Sequence, residues 1–170
     1  MMVDISTVSI MIASAGVFAA AVYYILQIRH QTKIRQTDLV MRLYSTFGSK
    51  EFWEEYPKFM TLDFKDFKDF ESKYGPLGPT GKWIGTPSWV SYNTHNLFFE
   101  GVGVLLHRKL IDIRLVDDLF SIPIKSGWEK VKPIVEGIRK TRNMPSYYEW
   151  FEYLYNEMKK REQRLQPVTA

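Results

Sequence analysis

Few side chains in this 170-residue chain are equipped for chemistry, and their spacing decides what they can do. There are three histidines, His30, His95 and His107, and no cysteine. His95, Glu100 and His107 fall on one predicted helix. At about 100° per residue, Glu100 and His107 share a side, and His95 points about 140° away from Glu100. Metal ligands on one helix want spacings of three or four, so no metal and no cofactor is assigned. Glu100 is then either a catalytic acid or a partly buried structural acid. Arg139 is the expected donor to it, because a guanidinium binds a carboxylate through two parallel hydrogen bonds. Asn96, one turn before Glu100, joins that cluster. The structural reading ranks first, since polar networks perturb acids as readily as active sites do.

Other motifs fail on count. Gly75 and Gly81 have five residues between them and Trp83 follows Lys82, where a phosphate loop needs four residues and then Ser or Thr after Lys. Gly101-Val102-Gly103 has Leu106 where a dinucleotide fingerprint needs its third glycine. No Gly-x-Ser-x-Gly elbow exists. The basic residues of the last two helices are diluted by glutamates, and no nucleic-acid recognition motif is visible, so nucleic acid is not an expected partner. No catalytic residue is assigned.

The elements that carry these residues begin with a long apolar run. Ile5 to Ile28 holds no charged side chain, and Arg29, Lys33 and Arg35 follow at once. A helix of that length reaches about 36 Å, enough for a hydrocarbon core about 30 Å thick. Ser and Thr hydroxyls within it can bond back to helix carbonyls, and Tyr23 and Tyr24 lie at the end where amphipathic rings favour the interface. A cleaved signal peptide fits less well. The residues before the run carry Asp4 and no base, and the run is too long. The bases lie on one flank only, which predicts a single-pass plasma-membrane protein with its N-terminus outside and the remainder cytoplasmic. Arg29, Lys33 and Arg35 form a basic edge suited to anionic lipid headgroups. The stretch from Ala13 to Ala21, with Gly16, could pack against another span.

After the run the periodicity is helical throughout. Leu39, Leu43 and Phe47 form one stripe and Gln36, Val40 and Tyr44 another, with no Pro or Gly between 29 and 47. The span is therefore expected to continue to Phe47. Gly48 is placed as a left-handed C-cap and Ser49 as the next N-cap. Phe64, Phe67, Phe70 and Tyr74 share one side of a short amphipathic helix. Residues 75–87 are a Gly/Pro loop, and Trp83 and Trp89 are its candidate contacts with a body or partner. From Ser91 a helix carries Leu97, Phe98, Leu105 and Leu106 inward, with Gly101 and Gly103 set for close backbone packing. Asp112 caps a short helix, Pro123 starts another, and Pro133 kinks it. Ser146 and Glu149 form a capping-box pattern for the last helix.

Three strings are distinctive: Ile28-Arg29-His30-Gln31-Thr32-Lys33-Ile34-Arg35-Gln36-Thr37-Asp38, Asn96 through Leu106 (NLFFEGVGVLL), and Trp150-Phe151-Glu152-Tyr153-Leu154-Tyr155-Asn156. Together they resemble an uncharacterised prokaryotic family of membrane-anchored helical proteins, frequent in ammonia-oxidising archaea. The resemblance implies an N-terminal span and a cytoplasmic helical body. It implies no reaction, cofactor or catalytic residue.

The expected fold is all-α: a transmembrane helix at 5–28, a juxtamembrane helix continuing over 29–47, a cytoplasmic helical bundle of five to seven helices at 48–165, and a frayed tail at 166–170. The expected function is a non-enzymatic, membrane-tethered interaction module, a scaffold or accessory subunit. Its partners would be membrane lipids and another membrane protein or a second copy of itself. Two alternatives stand beside it: an enzyme or ligand sensor with a polar pocket at Glu100, and an anionic-lipid sensor working through the basic edge.

Overall fold

A computed structural model describes residues 4–75 and 86–165. The chain folds into six helices with no strand among the described residues: α1 (Ile5–Phe47), α2 (Lys50–Met60), α3 (Phe67–Tyr74), α4 (Pro87–His107), α5 (Ile113–Arg142) and α6 (Glu149–Leu165). It divides into two compact units, Met1–Asp38 and Leu39–Ala170.

The first unit is helical from Ile5, and α1 runs on without interruption to Phe47, as the lack of Pro and Gly from 29 to 47 predicts. Every described residue from Asp4 to Arg35 is exposed, Ile10, Phe18, Leu26 and Ile28 included. Ser9 and Ser14 return their hydroxyls to the carbonyls of Ile5 and Ile10. This helix is long and apolar enough to cross a membrane.

The second unit has one aromatic-rich core. Val40 and Phe47 are buried and Leu39 and Leu43 pack beside them, while Tyr44 stays exposed on its outer side. Gly48 closes α1 by donating its N–H to the Tyr44 carbonyl. It does so without the expected positive φ, which in the described residues only one glycine, Gly75, adopts, at 93° after α3. Ser49 caps α2 through its hydroxyl, 3.2 Å from the Phe52 nitrogen. Pro57 lies inside α2 without ending it. Asp66 caps α3, which buries Phe70 completely. Phe67 lies against Gly137 so closely that a Cβ there would fall 2.0 Å from its ring.

The greatest departure from expectation is α5. Two helices were expected on either side of Pro123; there is one, with Pro123 and Pro133 both inside. An internal proline removes one hydrogen bond and costs about 3 kcal/mol. The apolar face crosses both prolines in step: Val116, Phe120, Ile124, Trp128, Val131, Ile134, Val135 and Ile138 are all buried. Burial of each such side chain is worth about 1.5–3 kcal/mol, so the face outweighs two lost bonds. Asp112 caps α5 as expected, its carboxylate 2.8 Å from the Arg114 nitrogen.

Candidate functional site

α4 carries the polar residues singled out above into the junction with α5 and α6. Ser91, His95 and Asn96 are its buried polar side chains. Asn93 and Glu100 lie half-buried, Asn93 toward Tyr148 of the 145–148 turn and Glu100 toward the start of α6.

Glu100 does not meet Arg139. Its Oε2 accepts the Phe151 N–H at 2.7 Å, and the Trp150 N–H also bonds its carboxylate. These are amides of the first turn of α6, where four N–H groups lack intrahelical partners and the helix dipole is positive. Glu100 is thus the N-terminal cap of α6, supplied from another helix. The Ser146 capping box expected from sequence is not what closes this end: residues 145–148 form a turn, and the helix starts at Glu149. Burial pushes the Glu100 carboxyl above its usual range, opposed by the two amides and by Arg139, and reinforced by Glu149.

Arg139, in the last turn of α5, is bound elsewhere. Its Nε donates to the Tyr147 carbonyl at 2.9 Å and its guanidinium pairs with Glu152 at 2.5 Å. The reason is reach. Asn143 stops α5 in the left-handed conformation at φ 53°, and the chain doubles back within six residues, so the first turn of α6 meets Arg139 before α4 can. Glu152, Tyr147 and Tyr148 were missed from the sequence. Their signal was the shortness of the Asn143–Pro145 turn, which forces both helix ends together.

Tyr148 holds this corner. It is buried, sits at φ 51°, a strained value for a bulky residue, and donates its hydroxyl to Asn93 Oδ1 at 3.2 Å. The hydroxyls of Tyr92 and Tyr147 lie 3.4 Å apart. Burial raises all three tyrosines above the ordinary phenol range.

Asn96 does not join Glu100. Its Oδ1 lies 3.3 Å from Nδ1 of His95. His95 is 1% exposed and stacks on Phe59 at 4.3 Å, with Phe99, Tyr56 and Phe151 around it. Gly127 of α5 makes room for it: a Cβ there would come within 2.2 Å of the ring. Burial lowers the His95 pKa to about 3, with Asn96 acting the other way, so the imidazole is neutral. His95 Nε2, Asn96 Nδ2 and one Arg139 nitrogen are buried without a hydrogen-bond partner. His107, at the exposed end of α4, packs on Trp150 at 4.3 Å. No three metal-ligating side chains converge among the described residues.

Arg29, Lys33 and Arg35 are exposed on α1 and make no ion pair among the described residues. Trp89 is half-buried against the core, its N–H bonded to the Thr86 hydroxyl at 3.2 Å. Trp83 lies outside the described residues, as does the tail at 166–170.

The geometry defines a helical protein with one apolar N-terminal helix of membrane-spanning length and a body locked by a capping carboxylate, an Arg–Glu pair and a tyrosine corner. The chain belongs to the family described as Domain of unknown function (DUF4760), whose model matches residues 10–158. No curated protein and no solved structure matches it.

Proposed function

We propose that this protein is a non-enzymatic interaction module tethered to the plasma membrane, a scaffold or accessory subunit whose body works on the cytoplasmic side. The observation that carries this reading is that every residue of α1 from Ile5 to Ile28 is exposed, its large apolar side chains included. An apolar surface of that size in water forgoes about 1.5–3 kcal/mol for each large side chain left unburied, and a lipid bilayer is the solvent that removes the loss. Arg29, Lys33 and Arg35 on one flank, against Asp4 on the other, favour a cytoplasmic body. The non-enzymatic part rests on Glu100, whose carboxylate is engaged by backbone amides of α6.

The test is fractionation of cells expressing the full chain. The protein should sediment with membranes and resist alkaline carbonate. Protease should digest the body in inside-out vesicles and spare it in intact cells. After mild detergent extraction, cross-linking with mass spectrometry should find a reproducible partner chain. Recovery in the supernatant without detergent would overturn the tether; a strictly monomeric protein with no cross-linked partner would overturn the interaction role.

A further inference from the structure

Proximity along the chain groups Arg29, Lys33 and Arg35 into one basic edge; the helix does not. These residues all lie on α1, which is unbroken from Ile5 to Phe47. At about 100° per residue, Arg29, His30 and Lys33 fall with Leu26 inside an arc of about 100°, the i, i+3, i+4, i+7 pattern of a single face. Arg35 stands about 120° or more from each of the three. All five side chains are exposed. The face thus gains an imidazole and loses a guanidinium relative to the edge read from sequence.

Depth separates the same residues. Along the helix axis Arg29 lies about 1.5 Å past Ile28, Lys33 about 7.5 Å and Arg35 about 10.5 Å. The headgroup layer outside the hydrocarbon core is about 5–8 Å thick on each side. Arg29, His30 and Lys33 therefore stand within that layer when Ile28 ends the core, and Arg35 stands beyond it. Toward the core the same face continues with Leu26 and, at its margin, Tyr23, both exposed.

Charge identifies what fits there. No acid stands between Asp4 and Asp38. The side chains of Arg29, His30 and Lys33 make no hydrogen bond or ion pair among the described residues. A guanidinium, an ammonium and an imidazole N–H, all donors, converge on one side of the helix. Phosphate oxygens are their natural acceptors, met by a fork from Arg and a point charge from Lys. An acidic peptide would have to enter the headgroup layer to reach them. A free phosphate would make no use of Leu26 and Tyr23, whereas a phospholipid carries the phosphate and the acyl chain in one molecule.

We propose that this face of α1 binds the headgroup of an anionic phospholipid, with Arg29, His30 and Lys33 on the phosphate and the upper acyl chain along Leu26 and Tyr23. The inference deepens the membrane-tether reading and rests on it: it names the class of lipid that the anchored chain selects. A base close to an anionic surface contributes about fivefold to binding, so Arg29 and Lys33 together should give at least tenfold preference over a zwitterionic lipid. Arg35 should add little.

The test is native mass spectrometry of the full-length chain released from micelles holding equal amounts of phosphatidylglycerol and phosphatidylcholine. The parent should retain the anionic lipid at least tenfold over the zwitterionic one. Arg29→Gln with Lys33→Gln should bring the ratio close to one, and Arg35→Gln should leave it within twofold of the parent. Arg29→Gln with Gln31→Arg keeps the net charge and moves it to the opposite side of the helix, and it should lower the ratio at least threefold. These substitutions remove no contact within the fold, so melting temperatures should not change. Soluble glycerol phosphate at matched ionic strength should not displace the lipid. Equal retention of the two lipids by the parent, an Arg35→Gln loss as large as that of the double variant, or a charge-moved variant that binds like the parent would overturn the proposal, and so would displacement by glycerol phosphate. Any of these in a chain that still sediments with membranes leaves the tether standing; recovery of the chain without detergent would sink both.

Discussion

The Glu100 carboxylate on α4 accepts the backbone N–H of Phe151 at 2.7 Å, so the first turn of α6 is capped by a side chain 51 residues earlier in the chain. A cap normally comes from the residue beside the helix. Here the cap is also a tertiary contact, and it joins the start of α6 to the middle of α4. Gly103, one turn along α4, lets the Trp150 carbonyl come close enough for the cap to form.

Glu100→Ala should destabilise the body by about 1–3 kcal/mol, the range for a hydrogen bond to a charged acceptor or the loss of an N-cap. Glu100→Gln keeps an acceptor oxygen and should lose less. Urea unfolding of the detergent-solubilised protein measures both. Equal stability for Glu100→Ala and the parent would show that the cap contributes nothing.

The two glycines of α4 should behave in opposite ways. Gly103→Ala pushes a Cβ into the Trp150 backbone and should cost at least about 1–3 kcal/mol, the overpacking range. Gly101→Ala meets open space and should stabilise the helix by up to about 1 kcal/mol. Thermal melts of the pair decide it, and a matched loss in both would contradict the packing described.

Buried, neutral His95 makes the body acid-sensitive. Its folded pKa is about 3, against 6.5 as the ordinary value, so between these limits the unfolded chain binds a proton that the folded chain does not. Stability is full above pH 6.5 and declines as pH falls toward 3, at up to about 1.4 kcal/mol per pH unit. Glu100 has the opposite sign: its raised pKa makes the fold gain stability as pH falls toward the ordinary carboxylate value. Stability against pH for His95→Leu in the Glu100→Gln background isolates the histidine. Its slope from pH 6 to 4 should be shallower than that of Glu100→Gln alone, and an unchanged slope would mean that His95 titrates normally.

Phe18→Arg places a guanidinium mid-way along the apolar run. Insertion scales assign about 2.5–3.5 kcal/mol to that change at a span centre. The carbonate-resistant fraction should fall, and Arg35→Gln, outside the run, should leave it unchanged. If Phe18→Arg sediments with membranes as well as the parent, α1 is not a span.

The helices were legible because each leaves a local trace. An uncharged run, aromatic residues at three and four, Ser49 and Asp112 at helix ends: these act within one or two turns, where chain neighbours are spatial neighbours. Pro123 misled because propensity is also local, whereas the apolar face that overrides it runs from Val116 to Ile138 along one helix. The partners of Glu100 and Arg139 could not be read at all. Opposite charge pairs them naturally on paper, but which carboxylate a guanidinium reaches depends on where three helices cross. The Asn143 turn brings Glu152 to Arg139 and the α6 amides to Glu100. Leu97 likewise reads as core from its type, yet it is exposed on a helix that packs against α2, α5 and α6. Pattern along the chain sets which segments coil, because hydrogen bonding and side-chain spacing are satisfied locally. Which polar groups meet, and which apolar face stays bare, follows from packing, because those contacts are made between residues that the chain itself keeps far apart.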